Sequence, residues 1–250
     1  MRAVFAVFIG FGVSSALADT RVDDVAQIHL EAIGGRERVA ALNALRATGQ
    51  VSAAGKTVVF RMVAARPARL RLETESGGRI RVQGTDGVRP AWEFDSAQAP
   101  SGTRAMPDGV ARTFVSDAEF DDPLIAARER GFTLEYAGEG EVDGRKYFRV
   151  LATRTGSEPC TLGVDASTYL IVQRTEQRST AMGRKVQVVT RYADFRPVAG
   201  VLLPHEVTTA VDGRVTQQTS ILRLEANPVL SPGDFAPIAP QSTGGPAATR

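Results

Sequence analysis

Few residues in this sequence have the types and spacing that chemistry requires. It holds two histidines, His29 and His205, and one cysteine, Cys160. A zinc centre or a nucleophile with its base needs further ligands, or a Ser or Cys, at a meaningful distance from a histidine. Neither histidine has such neighbours along the chain. His29 falls on the apolar stripe of an amphipathic segment, the place of a packed imidazole bonded to backbone. His205 follows Leu203-Pro204 at the start of a strand, where it supports a turn. Cys160 has no partner for an internal disulfide, and Glu158 and Pro159 beside it supply no activating cation. Asp121-Asp122 is a carboxylate pair, read as capping a helix at Pro123 rather than holding a cation. The glycine pairs bound strands instead of opening helices, so no phosphate-binding loop is expected. No catalytic residue, metal or cofactor is expected.

One charged pattern remains. Arg61, Arg69, Arg71, Arg79 and Arg81 alternate with apolar residues. Such a stripe can meet acidic headgroups, or it can be the solvated charge that keeps strand edges from pairing.

The elements that must carry these residues come in two kinds. Val22, Val25, His29, Ala32 and Ile33 recur at helical spacing, with Thr20 as N-cap and Gly34-Gly35 as stop. A second amphipathic segment, Arg36 to Leu45, places Val39, Leu42 and Leu45 on one side. From about residue 48 the period becomes two. Lys56 to Ala65, Ala68 to Glu75 and Arg79 to Gln83 alternate apolar and polar residues, with Gly77-Gly78 between the last two. Asp143-Gly144 and Asp212-Gly213 are strong type I′ hairpin signals, and Gly183 separates two further runs. Roughly ten antiparallel strands are predicted. A helix ending at Gly131 interrupts them, started either by the capping box Ser116-x-x-Glu119 or by Asp122-Pro123. A sheet with one apolar face must be covered by a second sheet, by its own closure or by helices. The few helices here cover only part of it, which leaves room for an apolar cavity.

Composition fits this picture. The apolar fraction of 43% argues against disorder, and 30 basic against 28 acidic residues argue against nucleic acid as partner. Met1-Arg2, the apolar run Ala3 to Val13 and Ala16-Leu17-Ala18 read as a secretory signal cleaved after residue 18. Removing residues 1–18 leaves 232 residues with 29 basic and 28 acidic side chains. The expected organisation is a signal peptide over 1–18, one domain over 19–236 and a disordered tail over 237–250.

The sequence also resembles a family. His29-Leu-Glu-Ala-Ile-Gly-Gly35, Arg66-Pro-Ala-Arg-Leu-Arg-Leu-Glu73, Thr85-Asp-Gly-Val-Arg-Pro-Ala-Trp92, Asp121-Asp-Pro-Leu124, Val142-Asp-Gly-Arg145 and Tyr192-Ala-Asp-Phe-Arg-Pro-Val-Ala-Gly-Val-Leu-Leu-Pro-His205 carry the likeness in order and spacing. Together they resemble the exported outer-membrane lipoprotein-sorting proteins of the LolA/LolB-like superfamily. The resemblance implies a mainly β fold with short helices, in which an antiparallel sheet curls into an incomplete half-barrel closed by a helical lid. It further implies a periplasmic monomer that binds lipid or lipoprotein acyl chains in an apolar cavity and carries them towards the outer membrane, with an inner- or outer-membrane transport partner. Val58, Phe60, Met62, Leu70, Leu72, Ile80, Val82, Trp92 and Phe94 are the expected cavity lining, because they share a strand face or lie at the aromatic end of the next strand. Gly34-Gly35 and Gly131 are expected hinges for the lid. A sensing module that responds to lipid or lipoprotein is the alternative function, and a lipid-acting hydrolase the third.

Overall fold

A computed structural model describes residues 13–98, 102–142, 144–180, 183–231 and 233–238. Helix α1 (Val13–Ala32) and the short α2 (Arg36–Ala41) open the chain. Six strands follow: β1 (Ala44–Ala53), β2 (Lys56–Ala65), β3 (Arg69–Ser76), β4 (Arg79–Thr85), β5 (Trp92–Asp95) and β6 (Arg104–Ala105). Helix α3 (Asp108–Asp117) separates them from β7 (Thr133–Val142), β8 (Arg145–Thr153), β9 (Cys160–Asp165), β10 (Ile171–Ser179), β11 (Lys185–Val198), β12 (Val201–Val211) and β13 (Arg214–Ala226). Among the described residues these form one 13-stranded antiparallel sheet in the order β6-β5-β4-β3-β2-β1-β13-β12-β11-β10-β9-β8-β7.

Turn chemistry explains the local pairings. Gly77 and Gly78 have φ of 55° and 78°, and Asp212 and Gly213 have φ of 47° and 80°, the left-handed values that a two-residue type I′ turn demands at both positions. The strand order explains the rest. β1 to β6 are laid down side by side until the chain reaches one edge of the sheet, and β7 then starts at the opposite edge. The connection over residues 106–132 therefore has to travel the full width of the sheet across one face. The strands return one by one until β13 pairs with β1.

We call the face crossed by this connection the inner face. Phe114 and Ala118 of the crossing pack on Ala64 and Leu70, while Val22 and Val25 of α1 pack on Val150, Leu162 and Val164. Ile33, Val39 and Leu42 join Leu45 and Val201 in a third group between them. Leu162, Val150 and Val164 are fully buried. The outer face is covered over β2 to β5 by the C-terminal segment: Phe235 packs with Ala44 and Ala65, and the Trp92 indole N–H donates to the Phe235 carbonyl at 3.3 Å. Gly84 makes room for this, because a Cβ there would lie 2.3 Å from the Trp92 ring.

Several expectations need correction. The strands number thirteen, not about ten, because the short β5 and β6 carry little alternation. Thr20 lies inside α1 instead of capping it. The mid-chain helix ends where it was expected to begin: Ser116 sits in the last turn of α3, and residues 123–131 form successive turns with Ala126 at φ 48°. Asp122 still caps locally, its Oδ1 accepting from the Leu124 N–H at 2.8 Å. The signal-peptide residues 1–12, the turn residue Asp143 and the tail from residue 239 lie outside the described residues.

Candidate functional site

Alternate residues of a strand share a face, so Arg174, Glu176 and Arg178 of β10 stand in a row. Their cross-strand partners place them on the inner face, since Arg174 pairs with the buried Leu162 and Glu176 with Cys160. A row of charges on the covered face of a sheet must be paired to be tolerated. Glu176 is buried and lies 2.7 Å from Arg174 on one side, with Arg178 against its other oxygen. Arg178 also reaches α3, where Asp117 receives two hydrogen bonds of 2.7 and 2.9 Å. The helix that crosses the sheet is thus tied to β10, the fourth strand from the β7 edge, by a forked ion pair.

A second charged knot follows directly in the crossing segment. Glu119 accepts from Arg154 at 2.9 and 3.0 Å and from Arg130 at 2.7 Å. Burial alone would raise the Glu119 pKa, but the Arg154 and Arg130 guanidinium groups hold it below the usual carboxylate value. Arg154 and Arg130 also lie over the Phe132 ring, 4.4 and 5.2 Å from its centroid.

Between these knots, α3 and β10 lies a cavity of about 740 Å³. Arg112, Asp117, Glu119, Arg154, Arg174 and Glu176 border it, together with Val115 and the loop over residues 88–91. That loop is fixed by Asp86, which accepts from the Arg89 and Val88 N–H groups and the Arg89 side chain. These bonds, the Arg89 N–H foremost, bring its pKa down to about 2. A smaller cavity of about 170 Å³ lies under α1 and α2, bordered chiefly by apolar residues such as Ile33, Leu42, Phe120, Ile125 and Leu203. Arg174 and Glu119 border both cavities and form the wall between them.

His29 and Asp122 line the smaller cavity. Residues 93 positions apart are brought together there, with His29 Nε2 3.1 Å from Asp122 Oδ2 and His29 Nδ1 2.7 Å from the Tyr169 carbonyl oxygen. Both partners are acceptors, so this geometry favours the ring with both nitrogens protonated, facing a carboxylate. Burial would lower the His29 pKa, but the Asp122 charge and hydrogen bond and the Tyr169 carbonyl raise it above its ordinary value. The sequence concealed this pair because its members lie on different elements. Asp121 goes elsewhere, to a forked pair with Arg66 at 2.6 and 2.7 Å. His205 is buried and meets the Leu203 carbonyl at 3.1 Å, and burial pushes the Cys160 thiol pKa up. Among the described residues, no group of three or more His, Cys, Asp or Glu is placed to hold a metal ion.

The nine expected lining residues do not share one face. Leu72 pairs with Gln83, and Glu73 with Val82. Val58, Phe60, Met62, Leu70 and Leu72 therefore face inward. Ile80, Val82, Trp92 and Phe94 face outward, as the Val82–Phe94 pairing confirms. The two-residue Gly77-Gly78 turn is the cause: it pairs Ser76 with Arg79 and so inverts the apparent phase of β4 relative to β3. Neither cavity is bordered by any of the nine. The arginine stripe divides in the same way. Arg61 pairs with Glu73 on the outer face, where Arg69 and Arg71 lie over Phe235 and Trp92, whereas Arg79 and Arg81 meet Asp95 from β4. The sequence signal for this candidate site is the run Arg174-x-Glu176-x-Arg178, three charges at strand period.

The expected hinge at Gly34-Gly35 is held in place. A Cβ on Gly34 would fall 2.3 Å from the Gly200 carbonyl oxygen, and the Leu202 N–H donates to the Ile33 carbonyl at 2.8 Å. Helix α3 is less deeply set, since none of its residues is buried.

By sequence the chain matches no family model and no curated protein. Solved structures do resemble it. A candidate outer membrane lipoprotein-sorting protein domain from Vibrio parahaemolyticus aligns at 11% identity with a TM-score of 0.57, covering 87% of this chain and 97% of its own. A DUF1329 family protein from Desulfovibrio piger aligns at 12% identity and 0.57, covering 86% and 96%. A LolA superfamily protein from Nitrosomonas europaea gives 11% and 0.51, covering 85% and 95%. The chain has the LolA-like fold: mainly β, with a single antiparallel sheet that does not close into a barrel and few short helices.

Proposed function

We propose that this protein is a periplasmic carrier that takes up the acyl chain of a lipid or lipoprotein between its inner sheet face and its crossing helix, for delivery towards the outer membrane. The observation that carries this reading is α3: it spans a cavity of about 740 Å³ yet has no buried residue of its own, so lifting it gives up chiefly the contact of Phe114 and the adjoining Ala118 with Ala64 and Leu70. The likeness to lipoprotein-sorting and LolA-like structures supports it, as does the signal-like N-terminus. No described helix is long and apolar enough to cross a membrane.

The physical work is solvation. An acyl chain of about fifteen methylenes gains on the order of 12 kcal/mol by leaving water, at roughly 0.8 kcal/mol per CH₂, before the costs of association. The smaller cavity takes about six such groups if each needs roughly the 30 Å³ of a water. The rest of the chain lies along Phe60, Met62, Leu70 and Leu72 once α3 lifts from them, since Phe114 and Ala118 now occupy part of that surface. Uptake and release then need a membrane partner at each end but no bond-making step.

Native mass spectrometry of protein purified from the periplasm tests the reading. Bound lipid is expected, and a lipid-free protein that also fails to bind a fluorescent fatty acyl probe would overturn it.

A further inference from the structure

A cavity built only to hide an acyl chain has no use for charge, yet the larger cavity is rimmed by arginines and carboxylates whose charges nearly cancel. Most of them are fully engaged. Arg178 is shared by Asp117 and Glu176, and Arg154 by Glu119 and Ser157. Arg112 is exposed on α3 and free of such a partner among the described residues, and among the half-buried charges Arg174 is the exception. Its guanidinium has five N–H donors but a single carboxylate partner, Glu176 at 2.7 Å, with the Cys160 sulfur as a weak second acceptor. Its Nε–H is buried and meets no acceptor, the one such side-chain atom among the described residues. A buried donor without an acceptor is costly, and evolution rarely leaves one without a use.

Arg174 also stands where the two cavities meet, with the polar space on one side and the apolar pocket on the other. We infer that the passenger is an anionic amphiphile, whose phosphate or carboxylate enters the larger cavity and binds Arg174 while its chain extends into the apolar pocket. This rests on the carrier reading and specifies its ligand. The anion supplies the acceptors that Glu176 alone does not, and a guanidinium suits both oxyanions because its forked donors match two oxygens at once. Glu176 is the competitor for the same guanidinium. It keeps Arg178 when Arg174 turns to the ligand, so the buried carboxylate is never stranded.

Three probes separate the contributions: lysophosphatidic acid, the monoacylglycerol of the same chain, and glycerol 3-phosphate. Isothermal titration of the mature protein below micelle concentrations is expected to show lysophosphatidic acid binding at least tenfold more tightly than the monoacylglycerol. Arg174→Gln should erase that preference and leave the monoacylglycerol affinity unchanged. Glu176→Gln should strengthen lysophosphatidic acid binding severalfold. Thermal unfolding checks that both variants fold, and the Glu176 variant keeps the test open if the Arg174 variant does not. Equal affinity for the two lipids would overturn the headgroup assignment while leaving the carrier reading standing. Glycerol 3-phosphate binding as tightly as lysophosphatidic acid would overturn it in favour of a soluble anion. Failure of all three to bind would remove the carrier reading itself.

Discussion

Arg178 and Asp117 form a forked ion pair across the cavity, with N–O distances of 2.7 and 2.9 Å, between strand β10 and the last turn of the helix that crosses the sheet. The pair is partly exposed, with side-chain accessibilities of 29% and 37%. Its contribution to global stability is accordingly modest, at about 1 kcal/mol or less. On the proposed carrier reading it would act on the rate at which α3 lifts, together with the Phe114 contact to Ala64 and Leu70. Asp117→Asn should leave the melting temperature nearly unchanged and speed release of a fluorescent acyl probe several-fold, measured by stopped-flow. Unchanged release would mean that α3 is not the gate.

His29 and Asp122 should make stability depend on pH at both ends of a window. The His29 pKa is raised in the folded protein, so its contribution is fully present below the unfolded value of about 6.5 and is lost as pH rises through the higher folded value. Asp122 is depressed, burial opposing and the His29 charge prevailing, so its contribution is present above the unfolded value of about 3.9 and is lost as pH falls through the lower folded value. Urea unfolding across pH 5 to 9 should show stability falling above about 6.5 in the wild type, and this decline should disappear in His29→Gln. An identical slope in the variant would assign the titration to another group.

Trp92 should matter for stability and not for binding. It is 4% exposed, stacked over Gly84 and bonded to the Phe235 carbonyl on the outer face. Trp92→Ala should cost about 3–5 kcal/mol in denaturant unfolding, whereas acyl probe affinity at temperatures where the variant is folded should stay within twofold. Leu72→Asp, on the inner face, should do the reverse: a smaller loss of stability and a clear loss of probe binding. Equal effects on binding would show that the register argument for the two faces fails.

Gly34 approaches the Gly200 backbone so closely that it accommodates no side chain. Gly34 has φ 133°, and a Cβ on it would sit 2.3 Å from backbone. Gly34→Ala should destabilise by more than about 1 kcal/mol and raise hydrogen exchange in α2 and at the start of β12, because the α1–α2 corner is docked there. Wild-type exchange in both segments would indicate that the corner can move as a free hinge.

The short-range structure was legible from sequence because its causes are short-range. Val22, Val25, His29 and Ile33 are buried along one side of the first helical segment, as their spacing required. Lys56 to Ala65 is a strand with the predicted bounds, and Asp212-Gly213 turns between the strands expected to flank it. The mid-chain helix was misplaced because Asp122 and Ser116 satisfy capping rules locally while the path over the sheet is set by its two edges. What no local pattern contains is which strands become edges. That decision sends residues 106–132 across the inner face, brings His29 to Asp122 and Arg178 to Asp117, and separates Leu72 from Val82. The sequence by itself determined the longer strands, the hairpin turns and the alternation within those strands. Tertiary structure alone decided which face is inner and which charges meet there, because register and long-range crossing depend on pairings between residues far apart in the chain, such as Thr48 of β1 with Arg223 of β13, and Ala44 with Asn227, 183 positions away.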